Sequence, residues 1–398
     1  MRALIVVAAV LASVVAAPAA ASAAGCSAPL GVYTGQGQQE QYGWAQRQMQ
    51  APAIWPLTTG AGVVVAVVGT GVDGANAQFR PGQVLPQIDL LHGGGAAPDC
   101  DGRGTIAAGI VGARADDATT FAGVAPGARI LPIRYTETTT GFSQNIDPNA
   151  LATAINRAVD AHAGVILVVV PATSDSGALR SAVARAIGAG DVVVSPAAAN
   201  ENGTSYPTAT RGVLGVGSVD QNGGVPQEDE ADTGGYIAVA APGVNLVSTA
   251  AGAGGRLGHT WPVSGAGFAA AYVAGTVALV RSYRPALTPA QIVNRLTLTA
   301  SRPPGGRYNA QLGWGVLDPY AAVTSELPAN APGPGAAPVA RPLAAVPPAP
   351  APVPAASPYR WAAVVAVLGV LLAGLVVFGA VTVRRGRARG WRPGRLPN

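Results

Sequence analysis

The sequence predicts one parallel α/β domain followed by a single C-terminal membrane-spanning helix. Three observations lead there. Apolar, β-branched runs read as strands buried on both faces, helical-period segments alternate with them over about 280 residues, and a long charge-free stretch near the end is followed by arginines. In chain order, Gly62–Val68 is the first buried strand, and Gly102–Arg114 has small and apolar residues at helical spacing. Ala128–Tyr135 is a strand entered through the turn Ala125-Pro126-Gly127. Asn149–His162 reads as an amphipathic helix and Gly164–Val170 as a buried strand. Helix Ser176–Ala189 and strands Asp191–Ser195, Gly212–Val219 and Tyr236–Ala241 continue the alternation. Helices Phe268–Tyr283 and Pro289–Ala300, the latter capped by Thr288, complete it. Right-handed crossovers would place helices on both faces of the sheet.

The ends of the 398-residue chain are not part of that domain. Residues 1–23 carry Arg2, an apolar run from Ala3 to Val15, and Ala21-Ser22-Ala23 as a small-residue cleavage site, the pattern of a secretory signal peptide. Acylation of Cys26 is the weaker reading, because Ala23 stands where a leucine usually precedes such a cysteine. Residues 24–60 form a Gln-rich arm with Trp44 and Trp55, expected to wrap the domain, which occupies 61–324. Residues 325–359 form a Pro/Ala-rich linker. Ser325–Pro358 contains 11 prolines and almost no charge. Such a segment buries no core and acts as a semi-extended spacer, reaching up to ~100 Å at ~3.1 Å per residue. Its bland alternative is a ligand for a proline-recognition module.

The spanning helix is assigned to 360–383, since Trp361–Val383 carries no charge and about 20 apolar residues cross the hydrocarbon core. Six arginines follow in the tail, 384–398, against Arg360 alone on the other side. This asymmetry places the C-terminus in the cytoplasm and the domain outside it. The tail also accounts for the net charge of +5: between Ala24 and Thr324 there are 16 arginines and 19 acids, so the body is slightly acidic. That excludes a nucleic-acid partner, and the tail arginines are better matched to anionic lipid. Every basic residue is Arg, from which no mechanism follows.

Two cysteines in an exported chain allow one pairing, Cys26 with Cys100. It would tie the arm to the body and stabilise by ~4 kcal/mol in the loop-entropy model. Two cysteines and three scattered histidines make no zinc set, and no cofactor is expected.

Three glycine-rich segments stand at element ends: GVVVAVVGTGV (Gly62–Val72), DCDGRGTIAAGIVGA (Asp99–Ala113) and SGAGFAAAYVAG (Ser264–Gly275). In this order they resemble the Asp, His and Ser segments of the subtilisin-like serine peptidases. GVAPGARILPIR (Gly123–Arg134), APG (Ala241–Gly243) and LGWGVLDP (Leu312–Pro319) support the likeness. The arm, the cysteine in DCDGxG, the proline linker, the span and the basic tail together resemble the mycosins, the membrane-anchored subtilases of actinobacterial type VII secretion systems. The resemblance implies a subtilisin-like three-layer α/β fold with a mostly parallel central sheet. It also implies association with components of the secretion membrane complex.

The same resemblance exposes departures. Gly69 stands in the Asp place, Arg103 in the His place and Gly267 in the Ser place. In such a triad the hydroxyl attacks, the imidazole takes its proton, and the carboxylate orients the imidazole. Glycine supplies neither nucleophile nor charge, and a guanidinium stays protonated. The expected consequence is an inactive homologue, since losing the nucleophile or the base alone costs a factor on the order of a million. Ser264 lies three residues early, Asp73 and Asp101 flank the cleft, and His92, His162 and His259 fall outside the motifs. His162 reads as a helix-end residue and the other two as loop histidines. Asn200, in Ala197–Asn200, either keeps the place of the oxyanion-hole donor or satisfies a turn. Val165–Pro171 (VILVVVP) stands where the family's substrate-pairing edge usually lies around a Ser-Leu-Gly stretch, and Pro171 has no N–H to offer a peptide. Arg103 either draws a partner's carboxylate into the cleft or pairs internally with Asp101 or Asp73. Three functions therefore stay open: a non-proteolytic structural or interaction subunit, a serine endopeptidase with a non-standard site, and a pseudoprotease that holds peptide without cutting it.

Overall fold

The computed structural model describes residues 32–33, 43–91, 99–137, 146–198, 204–226, 234–303, 305–328, 331–334 and 358–390. The signal peptide, Cys26, His92, Asn200, most of the linker, and Arg392 and Arg395 lie outside them. Two units are described separately, 1–340 and 341–398.

In the first unit, strands β1 (Val64–Gly69), β2 (Ile88–Asp89), β3 (Arg129–Arg134), β4 (Val165–Val168), β5 (Val192–Pro196), β6 (Leu214–Val219) and β7 (Ile237–Pro242) form one sheet in the order β2-β3-β1-β4-β5-β6-β7. Every pairing in it is parallel. A parallel sheet needs cover on both faces, and the period-2 alternation of its strands provides for it. Val65 and Val67 of β1, Val165 and Leu167 of β4, and Val192 and Val194 of β5 face one apolar layer. Ala66 and Val68, Ile166 and Val168, and Val193 face the other.

The first layer is built on α3 (Arg103–Gly112) and α6 (Ala266–Tyr283). Helix α6 is buried at every position from Phe268 to Val280, so it carries no polar face; it is a core helix, which explains its run of Ala and Val. The second layer is α4 (Pro148–Asp160) and α5 (Gly177–Ala189), amphipathic helices capped by Asp147 and Ser176. Helix α7 (Pro289–Thr299) opens with a capping box between Thr288 and Gln291, and α8 (Pro319–Thr324) is capped by Asp318.

Two short helices of the arm, α1 (Trp44–Met49) and α2 (Ala51–Ile54), pack on this domain. Trp44 is 7% exposed, and its indole N–H is shared between the carbonyls of Val244 (3.2 Å) and Asn245 (3.1 Å). The indole of Trp55 donates to Val124 O (3.1 Å), and Gln46 donates to the Tyr272 hydroxyl (3.2 Å). In its described part the arm packs against the domain at Trp44, Gln46 and Trp55.

A two-stranded antiparallel ribbon, β8 (Leu246–Thr249) and β9 (His259–Val263), was not predicted. Tyr33 pairs with His259 through both backbone bonds, so the arm adds one further bridge to the ribbon, and the Tyr33 ring lies 4.4 Å from Trp261. In the second unit, α9 (Pro358–Ala388) includes Val364–Ala388, 25 residues whose most apolar 18-residue stretch has a mean hydropathy of 2.9, long and apolar enough to cross a membrane.

Candidate functional site

The three motif positions meet at the C-terminal end of the sheet. Gly69 is the last residue of β1, Arg103 the first of α3 and Gly267 the second of α6. A single neighbour, Val169, fills the space between the two glycines. A Cβ on Gly69 would sit 3.2 Å from Val169 Cβ. A Cβ on Gly267 would sit 2.4 Å from Val169 O and 3.3 Å from its Cγ1. The first contact is tight; the second is a collision with a backbone atom, which no rotamer change relieves.

Val169 is held there from both sides. Its N–H donates to Val68 O (2.9 Å), and the following carbonyl, Val170 O, accepts the Tyr135 hydroxyl. Tyr135 is buried and its own N–H is bonded to Gly69 O (3.0 Å); burial pushes its phenol far up, so it remains a neutral donor. Beyond Pro171, the N–H and C=O of Ala172 are both taken by Tyr206 (2.7 and 2.9 Å). The edge that sequence reasoning questioned as a peptide-pairing strand is thus occupied from within at Ala172.

Asp99 ties the α3 end of the locus together. Its buried carboxylate accepts from the Thr70 hydroxyl (2.7 Å), Gly102 N (2.9 Å), Thr105 N (2.7 Å) and the Thr105 hydroxyl (2.8 Å). The Thr70 hydroxyl in turn accepts from Gly104 N (3.1 Å), and that of Thr105 from Asp73 N (2.9 Å). Burial pushes the Asp99 carboxyl up against the pull of these four bonds. The approach is close enough that a Cβ on Gly104 would lie 1.8 Å from Gly71 O. Sequence reasoning assigned Asp99 no role; three of its four bonds go to Gly102 and Thr105, close in sequence, while Thr70 is 29 residues away.

Arg103 pairs with Asp101, Nη1 to Oδ2 at 3.4 Å, and its N–H donates to Asp101 Oδ1 (3.2 Å). Burial raises the Asp101 carboxyl, and Arg103 works against that. The internal ion pair is therefore with Asp101. Asp73 instead bonds Ala75 N (3.0 Å) and Gly252 N (2.7 Å). Ser264 accepts from Asn245 N (3.1 Å) and has no histidine partner among its described bonds.

Of the histidines, His162 follows α4 with φ 55°, at the helix end as expected. His259 corrects the loop assignment: it opens β9, is 2% exposed, and stacks edge-on against Phe121. Its Nε2 faces Gln78 Oε1 at 2.6 Å and the Thr119 hydroxyl at 3.5 Å. Gln78 is oriented by donating to Arg114 O (3.0 Å) and Phe121 O (2.9 Å), so its oxygen faces the ring. On that assignment Nε2 carries the proton, and this nitrogen is a donor rather than a base for Thr119. Among the described residues, no group of three or more His, Cys, Asp or Glu is placed to hold a metal ion. Cys100 is not a free thiol.

An all-parallel sheet with this locus at its C-terminal end, between two helix N-termini, defines an α/β domain of the subtilase type. Residues 60–315 match the Subtilase family, peptidase S8, and the chain belongs to that family. Among curated proteins, mycosin-1 of Mycolicibacterium smegmatis is 34% identical over 339 residues, covering 72% of this chain and 73% of its own. Among solved structures, MycP1 from Mycobacterium smegmatis superposes with a TM-score of 0.65 at 30% identity, covering 75% of this chain and 90% of that one. The periplasmic assembly from the ESX-5 inner membrane complex matches with a TM-score of 0.64 at 26% identity, covering 77% and 89%. The chain is a mycosin-like subtilase.

Two predictions follow from this geometry. Gly267→Ala places a Cβ against Val169 O and destabilises by about 1–3 kcal/mol in chemical denaturation. Helix propensity alone predicts the opposite sign, a gain of up to about 1 kcal/mol, so the measured sign decides between them. The second concerns His259, whose burial lowers its pKa from 6.5 to about 4. Between those values the unfolded chain binds a proton that the folded chain refuses. The contribution is therefore complete above pH 6.5 and is lost as pH falls toward 4, by about 2–3 kcal/mol. Asp191, raised to about 6 by burial, acts in the opposite direction over an overlapping range. The readout is accordingly the stability of wild type minus that of His259→Gln, which should fall steadily between pH 6.5 and 4.5.

Proposed function

We propose that this chain is a non-proteolytic mycosin-like subtilase, serving as an extracytoplasmic structural and interaction subunit of a type VII secretion machine in the membrane. The observation that carries the reading is at Gly267: the place that the motif gives to the nucleophile has no side chain, and the room for one is taken by Val169 O. At the place of the base, a guanidinium paired with Asp101 does not take a proton from a hydroxyl. Asn200 is then an inherited position, since an oxyanion donor acts only on a tetrahedral intermediate that some nucleophile has formed.

The relatives, named as mycosins and as the periplasmic assembly of an ESX-5 inner membrane complex, support this choice of partner. The apolar run of Val364–Ala388 and the arginines from Arg384 onward support the topology we assign: the helix spans once, the domain lies outside, and the tail meets the cytoplasmic lipid surface. We pair Cys100 with Cys26, a link that staples the arm beside α3. Against the peptide-holding reading stand Pro171, which lacks an N–H, and Ala172, whose backbone groups are already bonded to Tyr206.

Two measurements test the proposal. Incubation of the purified chain with a serine-reactive fluorophosphonate should leave it unlabelled, and stoichiometric labelling would sink the claim of inactivity. Affinity purification from native membranes should recover secretion-channel components with the chain. Their absence at matched expression would remove the structural role while leaving inactivity standing.

A further inference from the structure

The domain is slightly acidic as a whole, yet one of its ends is basic. Where the parallel strands begin, opposite the Gly69–Gly267 locus, Arg129 opens β3, Arg157 lies in the last turn of α4, and Arg211 stands three residues before β6. All three are exposed, and none makes a side-chain hydrogen bond or salt bridge among the described residues. They lie on one side of the sheet. Leu131 and Ile133 of β3 face the α4–α5 layer, and Arg129 shares their alternation. Arg185 of α5 bonds Asn156 and Asp160 of α4, which joins the ends of those two helices. A Cβ on Gly212, beside Arg211, would meet Ile187 Cδ1 of α5 at 2.6 Å. In the order β3-β1-β4-β5-β6 the first and last strands are four steps apart, so the basic band spans about 19 Å.

The described acids of this end do not cancel the band. Asp160 is paired with Arg185 (2.7 Å), Glu326 with Arg284 (3.0 Å), and Asp191 is buried. The negative pole of α4 accounts for Arg157, but Arg129 opens a strand, where no helix dipole calls for a cation. The same end carries an exposed ring. Tyr283 ends α6 and is 42% exposed, with the Arg284 guanidinium 5.4 Å from its centroid. Ser282 beside it donates to Ala61 O (2.8 Å), just ahead of β1. Unpaired arginines near an exposed tyrosine are the side chains of a membrane–water interface. A bilayer is also within reach of the domain, since the chain carries the apolar helix Val364–Ala388 behind a spacer of at most ~100 Å. We propose that this end of the domain docks on an anionic lipid surface, with Arg129, Arg157 and Arg211 on head-group phosphates and the Tyr283 ring among the head groups. Guanidinium forks match phosphate oxygens in geometry as well as charge. The surface is separate from the motif locus, and its use rests on the single membrane span assigned above.

The test uses the full chain in nanodiscs of phosphatidylcholine, alone or mixed with phosphatidylglycerol. Phenylglyoxal modifies exposed guanidiniums, and peptide mass spectrometry reads the rate at each arginine. Each arginine near an anionic surface favours docking about fivefold, so three favour it on the order of a hundredfold. Arg129, Arg157, Arg185 and Arg211 should accordingly react at least about fivefold more slowly in the mixed discs. Arg307, exposed between α7 and α8, should react equally in both. Raising the salt to about 0.5 M should abolish the difference. In a chain carrying Arg129→Glu, Arg157→Glu and Arg211→Glu, all at exposed positions, Arg185 should lose its protection. Equal rates in the two discs overturn the proposal. So does protection of Arg307, or protection of Arg185 that survives in the triple variant. Slow reaction already in detergent micelles would mark a contact between protein copies and overturns it too. A chain that does not enter the discs overturns the membrane span and this proposal together, whereas equal rates overturn this proposal alone.

Discussion

The C-terminal end of the sheet depends on one steric fact: a backbone carbonyl, Val169 O, stands where a side chain on Gly267 would begin. Because the intruding atom is main chain, its position is set by the bonds on either side, from Val169 N–H to Val68 O and from the Tyr135 hydroxyl to Val170 O. Those bonds reach β1, β3 and β4, the middle of the sheet. Exchanging a side chain at 267 therefore asks three strands to move, and close-packed interiors resist that more than they resist a local repacking. Absence of catalytic groups and absence of room for them are distinct properties, and this locus combines a lack of side chains at two positions with a lack of space.

The motif order and the strand–helix alternation were legible because both are local: buried parallel strands are continuously apolar, and helix caps announce themselves within four residues. Asp101 and Arg103 stand two residues apart, and their ion pair was among the expected outcomes. Other features were not legible. The ribbon β8–β9 has only five residues in its second strand, with Pro262 among them, and shows no alternation to read. His259 consequently looked like a loop residue, although its environment comes from Gln78, Thr119 and Phe121, all distant in sequence. The missing N–H of Pro171 was visible in the sequence; that the Val169 carbonyl closes the space beside Gly267 is a property of the path of the chain, which composition does not encode.

The buried carboxylates of the domain are held in contrasting ways. At one end of the sheet Asp99 is buried with four donors and Asp101 with a guanidinium, so burial is compensated bond for bond. At the other, Asp191 and Arg281 are buried with bonds left over. The difference belongs to these residues and not to the two ends as such, since Arg134 Nε, at the end of β3 beside Gly69, is also buried without a described partner.

The docking of the arm also has a consequence for the order of assembly. Trp44 bonds to carbonyls 200 and 201 residues further along, and Gln46 to a hydroxyl 226 residues away. Contacts of such long separation form only after the loop between them has closed. This part of the arm is synthesised early and gains these contacts late: until the 244–245 turn and α6 exist, Trp44 and Gln46 lack the partners they bond to. Since Ala45, Met49 and Ile54 belong to the main core, that core is complete only once the N-terminal helices have docked on the C-terminal half.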